Sequence, residues 1–257
     1  MSLYVMSDIH GRYANFVQLL KQAWIIDDDL DWMGGEDDLL ILLGDYMDRG
    51  EHGIEVLDLV MRLKKQAPSN VFALLGNHDL HLLATHFHPS YDSPTACSPR
   101  IDHFLRNGGQ RRDLERLTPE HVTFLQNMPV MFKFGPFLFM HADNMMYLNY
   151  GRNVDAVNAA FKGLLSIPIP EKWDDLIAQF SERKAFLHQP HNARQVLSTF
   201  GGSRIIHGHT PIYHMTGEKA DYYLRVLKDA LLYCEGMCIN VDGGLADSRP
   251  PGILLKL

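Results

Sequence analysis

Apolar residues occur along this chain in short runs, and ligand-type polar residues gather where the runs end. Leu3 to Ser7, Leu39 to Leu43 and Val71 to Leu75 have the length and near-continuous apolarity of buried strands. Between them the spacing becomes helical, through Ala14, Phe16, Leu19, Leu20 and Ala23, then through Ile54, Leu57, Met61 and Lys64. Strand, helix, strand, helix, strand predicts an α/β fold.

Farther on, Ser90 to Pro99 is rich in Pro and Ser and predicts a loop. A short helix is expected over Arg100 to Arg106, ending at Gly108-Gly109, and another after Thr118, with Thr as N-cap and Pro119 in the first turn. Val130 to Phe134 and Phe137 to Met140 flank Gly135-Pro136 and predict a hairpin with His141 at its end. Met145 to Phe200 is helical in pattern, with breaks at Pro168, Pro170 and Pro190. We expect residues 145–200 to form a helical cap inserted over the sheet, within one domain spanning residues 1–257. Ser203 to His207 returns to strand, and the rest of the chain is expected to run as antiparallel strands, with turns at Glu235-Gly236 and Asp242-Gly243-Gly244.

Composition narrows the function classes. No apolar run reaches the ~18 residues of a membrane span, and Leu3 to Met6 follows no basic leader, so a cytoplasmic protein without membrane attachment is expected. The formal net charge of −7 and the lack of a long Lys/Arg run argue against extended nucleic-acid binding, so any phosphate must be held locally. Cys234 and Cys238 lack the second pair of a zinc site and are read, like Cys97, as ordinary reduced thiols. The acidic stretch Asp27 to Asp38 is not a calcium loop, because Trp32 stands where such a loop needs glycine.

The candidate chemistry lies at the strand ends. Asp8-Ile9-His10-Gly11 follows the first; alternation would put Asp8 and His10 on one side if the extended backbone persisted. Gly44-Asp45-Tyr46-Met47-Asp48-Arg49-Gly50 follows the second and sets carboxylates beside a guanidinium, which suits a metal next to a phosphate. Gly76-Asn77-His78-Asp79 follows the third, and His141 and Gly208-His209-Thr210-Pro211 end later strands. His81, His86 and His88 are expected at the surface or behind the ligands.

Oxygen and imidazole donors without thiolate suit two divalent ions, manganese foremost, with iron and zinc also compatible. Asp45 would bridge a pair about 3.5 to 4 Å apart, Asp8 and His10 completing one ion and Asn77, His141 and His209 the other. His78 is the candidate general acid, Asp48 would hold its ring, and Arg49 would neutralise phosphate charge.

Taken together, these motifs resemble the calcineurin-like metallophosphoesterases, in particular the phosphoprotein phosphatase branch that includes bacterial Ser/Thr phosphatases and symmetrical diadenosine tetraphosphatases. The resemblance implies a four-layer α-β-β-α sandwich, a dinuclear centre, direct attack by metal-bound hydroxide, the His78–Asp48 acid pair, and Arg49 and Asn77 against the substrate. Leu75 stands where eukaryotic protein phosphatases of the branch usually have Arg, and Asp143 where a Gly often follows His-Ala. Arg152, Arg183 and Arg194 are the candidate substrate arginines of the cap. The expected substrate is a phosphorylated protein or nucleotide: phosphoserine or phosphothreonine first, a dinucleoside tetraphosphate as the alternative. A phosphate-binding scaffold without turnover is the non-enzyme alternative, although no expected ligand is missing.

Overall fold

Strand residues that alternate along the backbone enter two different cores. The computed structural model describes residues 1–217, 229–247 and 252–257. The chain begins β1 (Leu3–Met6), α1 (Tyr13–Gln22), β2 (Leu39–Leu42), α2 (Gly53–Gln66), β3 (Val71–Ala73) and α3 (Asn77–Phe87). The three strands are parallel neighbours, which the helical crossovers between them permit.

A two-residue ladder of β4 (Asp92–Ser93) and β5 (Ser98–Pro99) lies within the stretch expected to be loop. Next come α4 (Arg100–Arg106), α5 (Arg111–Arg116), α6 (Pro119–Gln126), and the hairpin of β6 (Met131–Phe134) and β7 (Phe137–Met140). Thr118 caps α6 as its sequence implies, its hydroxyl accepting from the His121 amide.

Residues 145–200 are largely helical: α7 (Val154–Ser166), α8 (Pro170–Phe180) and α9 (Pro190–Phe200). Pro170 and Pro190 each open a helix, the first-turn position where proline's missing N–H costs nothing. α7 packs on β6, and α8 crosses to α3. Then follow β8 (Arg204–His207), α10 (Ile212–Thr216), β9 (Leu231–Tyr233), β10 (Cys238–Asn240) and β11 (Leu255–Lys256), and α9 packs on β8.

The sheets are ordered β11-β1-β2-β3 and β6-β7-β8-β10-β9. The all-antiparallel ending expected from the turns is corrected here: β9 with β10 and β11 with β1 are antiparallel, but β10 runs parallel to β8. Burial explains the arrangement, since Cys238 and Ile239 take the inner slot while Leu232 of β9 remains exposed at the edge.

Leu3, Val5, Leu39 and Ile41 of the first sheet meet Phe139, Ile206 and Ile239 of the second in one core. The residues between them, Tyr4, Met6, Leu40 and Leu42, share another core with Phe16, Leu20, Leu57 and Val60 of α1 and α2. Leu138 and Ile205, on the outer face of the second sheet, join Phe161 of α7 and Val196 of α9. The architecture is therefore α-β-β-α, and neither face of the inner strands meets water, which explains their unbroken apolar runs. Each fully buried Leu or Ile contributes about 1.5–3 kcal/mol, so the strand ends are held by a rigid scaffold. Among the described residues no helix is long and apolar enough to cross a membrane.

Candidate active site

The backbone turns left-handed as it leaves these strands. Asp8, His10, Asp45, Asp48, Arg49 and His209 all have positive φ, between 48° and 70°, a costly conformation for residues with side chains. The extended path on which the Asp8-x-His10 alternation was conditional does not persist: Asp8 at φ 54° bends the chain so that the His10 amide donates to the Asp45 carbonyl at 2.9 Å. Bending still brings the pair together, with His10 Nε2 3.8 Å from Asp8 Oδ1. The Gly50 amide returns a bond to the His10 carbonyl at 2.9 Å, which zips the two loops together.

Asp45 lies between the two halves of the site. Its Oδ2 is 3.6 Å from His10 Nε2 and 3.6 Å from His141 Nε2, while its Oδ1 accepts from the His78 amide at 2.9 Å. Each ring is oriented from behind: His10 Nδ1 faces the Met47 carbonyl at 3.0 Å and His141 Nδ1 the Leu43 carbonyl at 2.8 Å. A carbonyl only accepts, so Nδ1 carries the proton and each Nε2 presents its lone pair. His209 is reversed, with Nε2 3.3 Å from the Ser181 carbonyl and Nδ1 turned inward.

Three acceptors therefore converge with no proton to share. Asn77 Oδ1 lies 2.9 Å from both His141 Nε2 and His209 Nδ1, and the two nitrogens are 3.2 Å apart. Lone pairs packed in this way repel unless a cation sits among them, so the donor set fits a metal ion. A second set is formed by His10 Nε2, Asp45 Oδ2 and Asp8 Oδ1. Asp8 Oδ2 is already committed, accepting from Ser7 Oγ and, at 2.8 Å, from the His209 amide. His10, Asp45, His141 and His209 form overlapping groups of potential ligands, and His78 also lies within reach of the first group.

Burial holds the imidazoles of His10, His141 and His209 below their ordinary range, so they are neutral and able to coordinate. Burial likewise pushes the Asp45 carboxyl well up, a penalty that a bound cation would remove. His78 behaves differently. Burial pulls it down, but Asp45 and the 2.8 Å bond from its Nδ1 to Asp48 Oδ2 outweigh that, leaving a net rise. Its Nε2 is 3.4 Å from Arg49 Nη2.

Asp79 has a role that the sequence reading missed. This buried carboxylate accepts from the amides of Gly76 (2.9 Å), Asp45 (2.8 Å) and Tyr46 (3.1 Å), fastening the Asp45 loop to the start of α3. Its signal was an acid in the first turn of a helix, since α3 starts at Asn77. Gly76 allows the approach, because a Cβ there would overlap the Asp45 side chain and amide. Gly76→Ala is therefore expected to displace Asp45 and lower kcat/KM by roughly a hundredfold, the scale of an ångström's misplacement. Metal content should fall in parallel, and a fully loaded, fully active variant would refute this.

A cavity of about 300 Å³ adjoins the donors, lined by Arg49, Asn77, His78, His81, His103 and Arg183 among others. Of the three candidate arginines of residues 145–200, Arg183 reaches it; Arg152 lines a different cavity and Arg194 pairs with Glu235. His81 is buried, where burial and then His103 push it down to about 3, whereas His86 is exposed and His88 bonds the Pro168 carbonyl. Leu75 is fully buried and offers no contact to a ligand. Cys234 and Cys238 are buried free thiols, pushed up by burial and so unsuited to bind metal as thiolates.

Behind the His78–Asp48 pair lies Asp113, fully buried, with neither carboxyl oxygen hydrogen-bonded and Arg112 Nε 3.9 Å from Oδ1. Burial, then Asp48, pushes it from 3.8 up to about 6. The folded state thus holds this proton more tightly than the unfolded chain, a stabilisation present at pH 4 and lost as pH rises through about 6. Asp113→Asn cannot titrate, so its stability relative to the parent should rise by up to about 3 kcal/mol between pH 4 and pH 8. Urea unfolding of both proteins at the two pH values checks this; a pH-independent difference would contradict it.

The geometry agrees with what known proteins share with this chain. The calcineurin-like phosphoesterase profile matches residues 1–213. The symmetrical bis(5'-nucleosyl)-tetraphosphatase of Haemophilus ducreyi is 41% identical over 85 residues, 33% of this chain and 27% of that protein. Serine/threonine-protein phosphatase PP1-1 of Saccharomyces cerevisiae is 35% identical over 75 residues, 29% of this chain and 22% of that one. The matched stretch thus spans about a quarter of the length of these curated relatives. In fold, the whole chain overlays 75% of the cold-active protein-tyrosine phosphatase of a Shewanella species, with TM-score 0.71 and 23% identity. With its motifs in family order and their donors converging in space, the chain belongs to the calcineurin-like phosphoesterases.

Proposed function

We propose that this hydrolase is a phosphomonoesterase that removes phosphoryl groups from serine or threonine side chains, working with two manganese ions. The observation that carries the reading is the His78–Asp48 pair at 2.8 Å beside Arg49. A serine or threonine alkoxide is a poor leaving group and must be protonated as it departs, whereas a nucleoside polyphosphate departs as a stable anion. An acid whose imidazolium form is favoured matches the first need.

Asp8, His10 and Asp45 would hold one ion, and Asp45, Asn77, His141 and His209 the other. When bound, the pair supplies Lewis acidity and an activated water. The protein's own groups do the rest. His78 donates its Nδ1 proton to Asp48, which favours the imidazolium, and the second proton, on Nε2, is the one delivered to the leaving oxygen. Arg49 and Arg183, which both line the cavity, hold the phosphoryl oxygens, with Asn77 also in its wall. α8, part of the 145–200 segment that we read as the cap, contributes Ile177 and Ala178 to the wall.

The symmetrical tetraphosphatase among the relatives supports a second reading, cleavage of dinucleoside tetraphosphates. One comparison separates them: kcat/KM, with manganese, for a phosphothreonine peptide and for diadenosine tetraphosphate. Preference for the peptide is expected, and preference for the dinucleotide would overturn the phosphomonoester reading in favour of the second.

A further inference from the structure

Asp143 and Asn144 follow His141 and Ala142 in the chain and have no exposure, yet their side-chain hydrogen bonds go to partners other than the potential metal ligands. Both instead grip the turn between α8 and α9. Asp143 Oδ1 accepts from the Lys184 amide at 2.8 Å, and the Asp143 carbonyl accepts from the Ala185 amide at 3.1 Å. The Asn144 side-chain amide donates to the carbonyls of Gln179 at 2.6 Å and Glu182 at 3.2 Å. These four bonds bracket Arg183, whose guanidinium has no carboxylate partner among the described residues.

The same turn is tied to the site. Ser181 meets Asn77 Nδ2 through its hydroxyl at 3.4 Å and His209 Nε2 through its carbonyl at 3.3 Å. Lys184 adopts φ 66°, a conformation that needs outside support in a residue with a side chain. The Tyr233 hydroxyl, 3.2 Å from Asp143 Oδ2, braces the carboxylate from behind. Without such restraint, an arginine on an exposed turn would have to be ordered by its ligand, and that entropy would be subtracted from binding.

We infer that Asp143 and Asn144 are positioning residues, which act through the 179–185 turn to preset the Arg183 guanidinium for the phosphoryl group. The inference rests on the reading that Arg183 holds that group. It accounts for two fully buried polar residues that neither the donor set nor the acid pair uses.

The test is calorimetric titration of inorganic phosphate into the manganese-loaded protein, which needs no turnover and so stands apart from the substrate comparison. Arg183→Ala and Asn144→Ala are each expected to weaken phosphate binding roughly tenfold, as loss of a charge-assisted contact does. The double variant should be no weaker than Arg183→Ala alone, because Asn144 acts only through the arginine. Asp143→Asn, which keeps an acceptor for the Lys184 amide, should bind phosphate nearly as the parent does, whereas Asp143→Ala should not; this pair answers the question even where Asn144→Ala fails to fold. Multiplying losses in the double variant, an unchanged Asn144→Ala, or equal losses in Asp143→Asn and Asp143→Ala would each overturn the inference. An unchanged Arg183→Ala would overturn it together with the arginine's assigned role, leaving the phosphoesterase chemistry standing.

Discussion

Asp45→Asn is expected to lower kcat/KM by about a thousandfold or more, since on the proposed reading it would bridge two metal ions, which would supply several kcal/mol of transition-state stabilisation. The reason lies in one atom. Oδ2 is equidistant from His10 Nε2 and His141 Nε2, at 3.6 Å each, so it serves both halves of the site. Asparagine keeps the size but removes the charge, and an amide N–H turned toward the two imidazole lone pairs would satisfy them without a cation. Oδ1 also positions the His78 backbone, which an amide carbonyl can still do, so the fold should survive. Metal analysis should then find the ion complement reduced in step with activity. Two ions per chain with parental turnover would exclude the bridging role.

His78→Ala should behave in the opposite way, retaining metal while losing about 10²- to 10⁴-fold in kcat on an alkyl phosphate, the usual range for a positioned general acid. The ring touches Asp48 and Arg49, and its contribution to the Asp45 loop comes through the backbone amide, which alanine keeps. The loss should shrink on an aryl phosphate whose phenolate leaves without protonation. An equal loss on both substrates would point away from proton donation and toward a structural or metal-binding part for the ring. That alternative has substance, because His78 also lies within ligand distance of His10 and Asp45. Asp48→Asn should imitate the alkyl-specific defect more weakly, since an amide can hold the ring but not favour its charged form.

Much of the candidate site's composition was legible because each ligand-type residue immediately follows a run of strand residues. Asp8, Asp45, Asn77, His141 and His209 stand within a few positions of a strand end, and strand ends of packed sheets lie close together. Asp48, Arg49 and His78 were found by their adjacency to those residues. Asp79 was visible but not understood, because its work is done on backbone amides of a loop far away in sequence. Arg183 could not be singled out from the three candidate arginines, since spacing alone does not say which of them lines the cavity.

By itself, then, the sequence determined the alternation of strands and helices and the chemical types at their junctions, both of which are encoded locally in apolar periodicity and residue type. The direction of β10, the left-handed turns at Asp8 and His10, the converging acceptors of Asn77, His141 and His209, and the clamp of Asp143 and Asn144 on the Arg183 turn were decided only in three dimensions. Each depends on which distant segment takes a slot in a sheet or a place beside a loop. That choice is made by packing and hydrogen-bond satisfaction between residues far apart in the chain, and neither leaves a periodic trace in any one stretch of it.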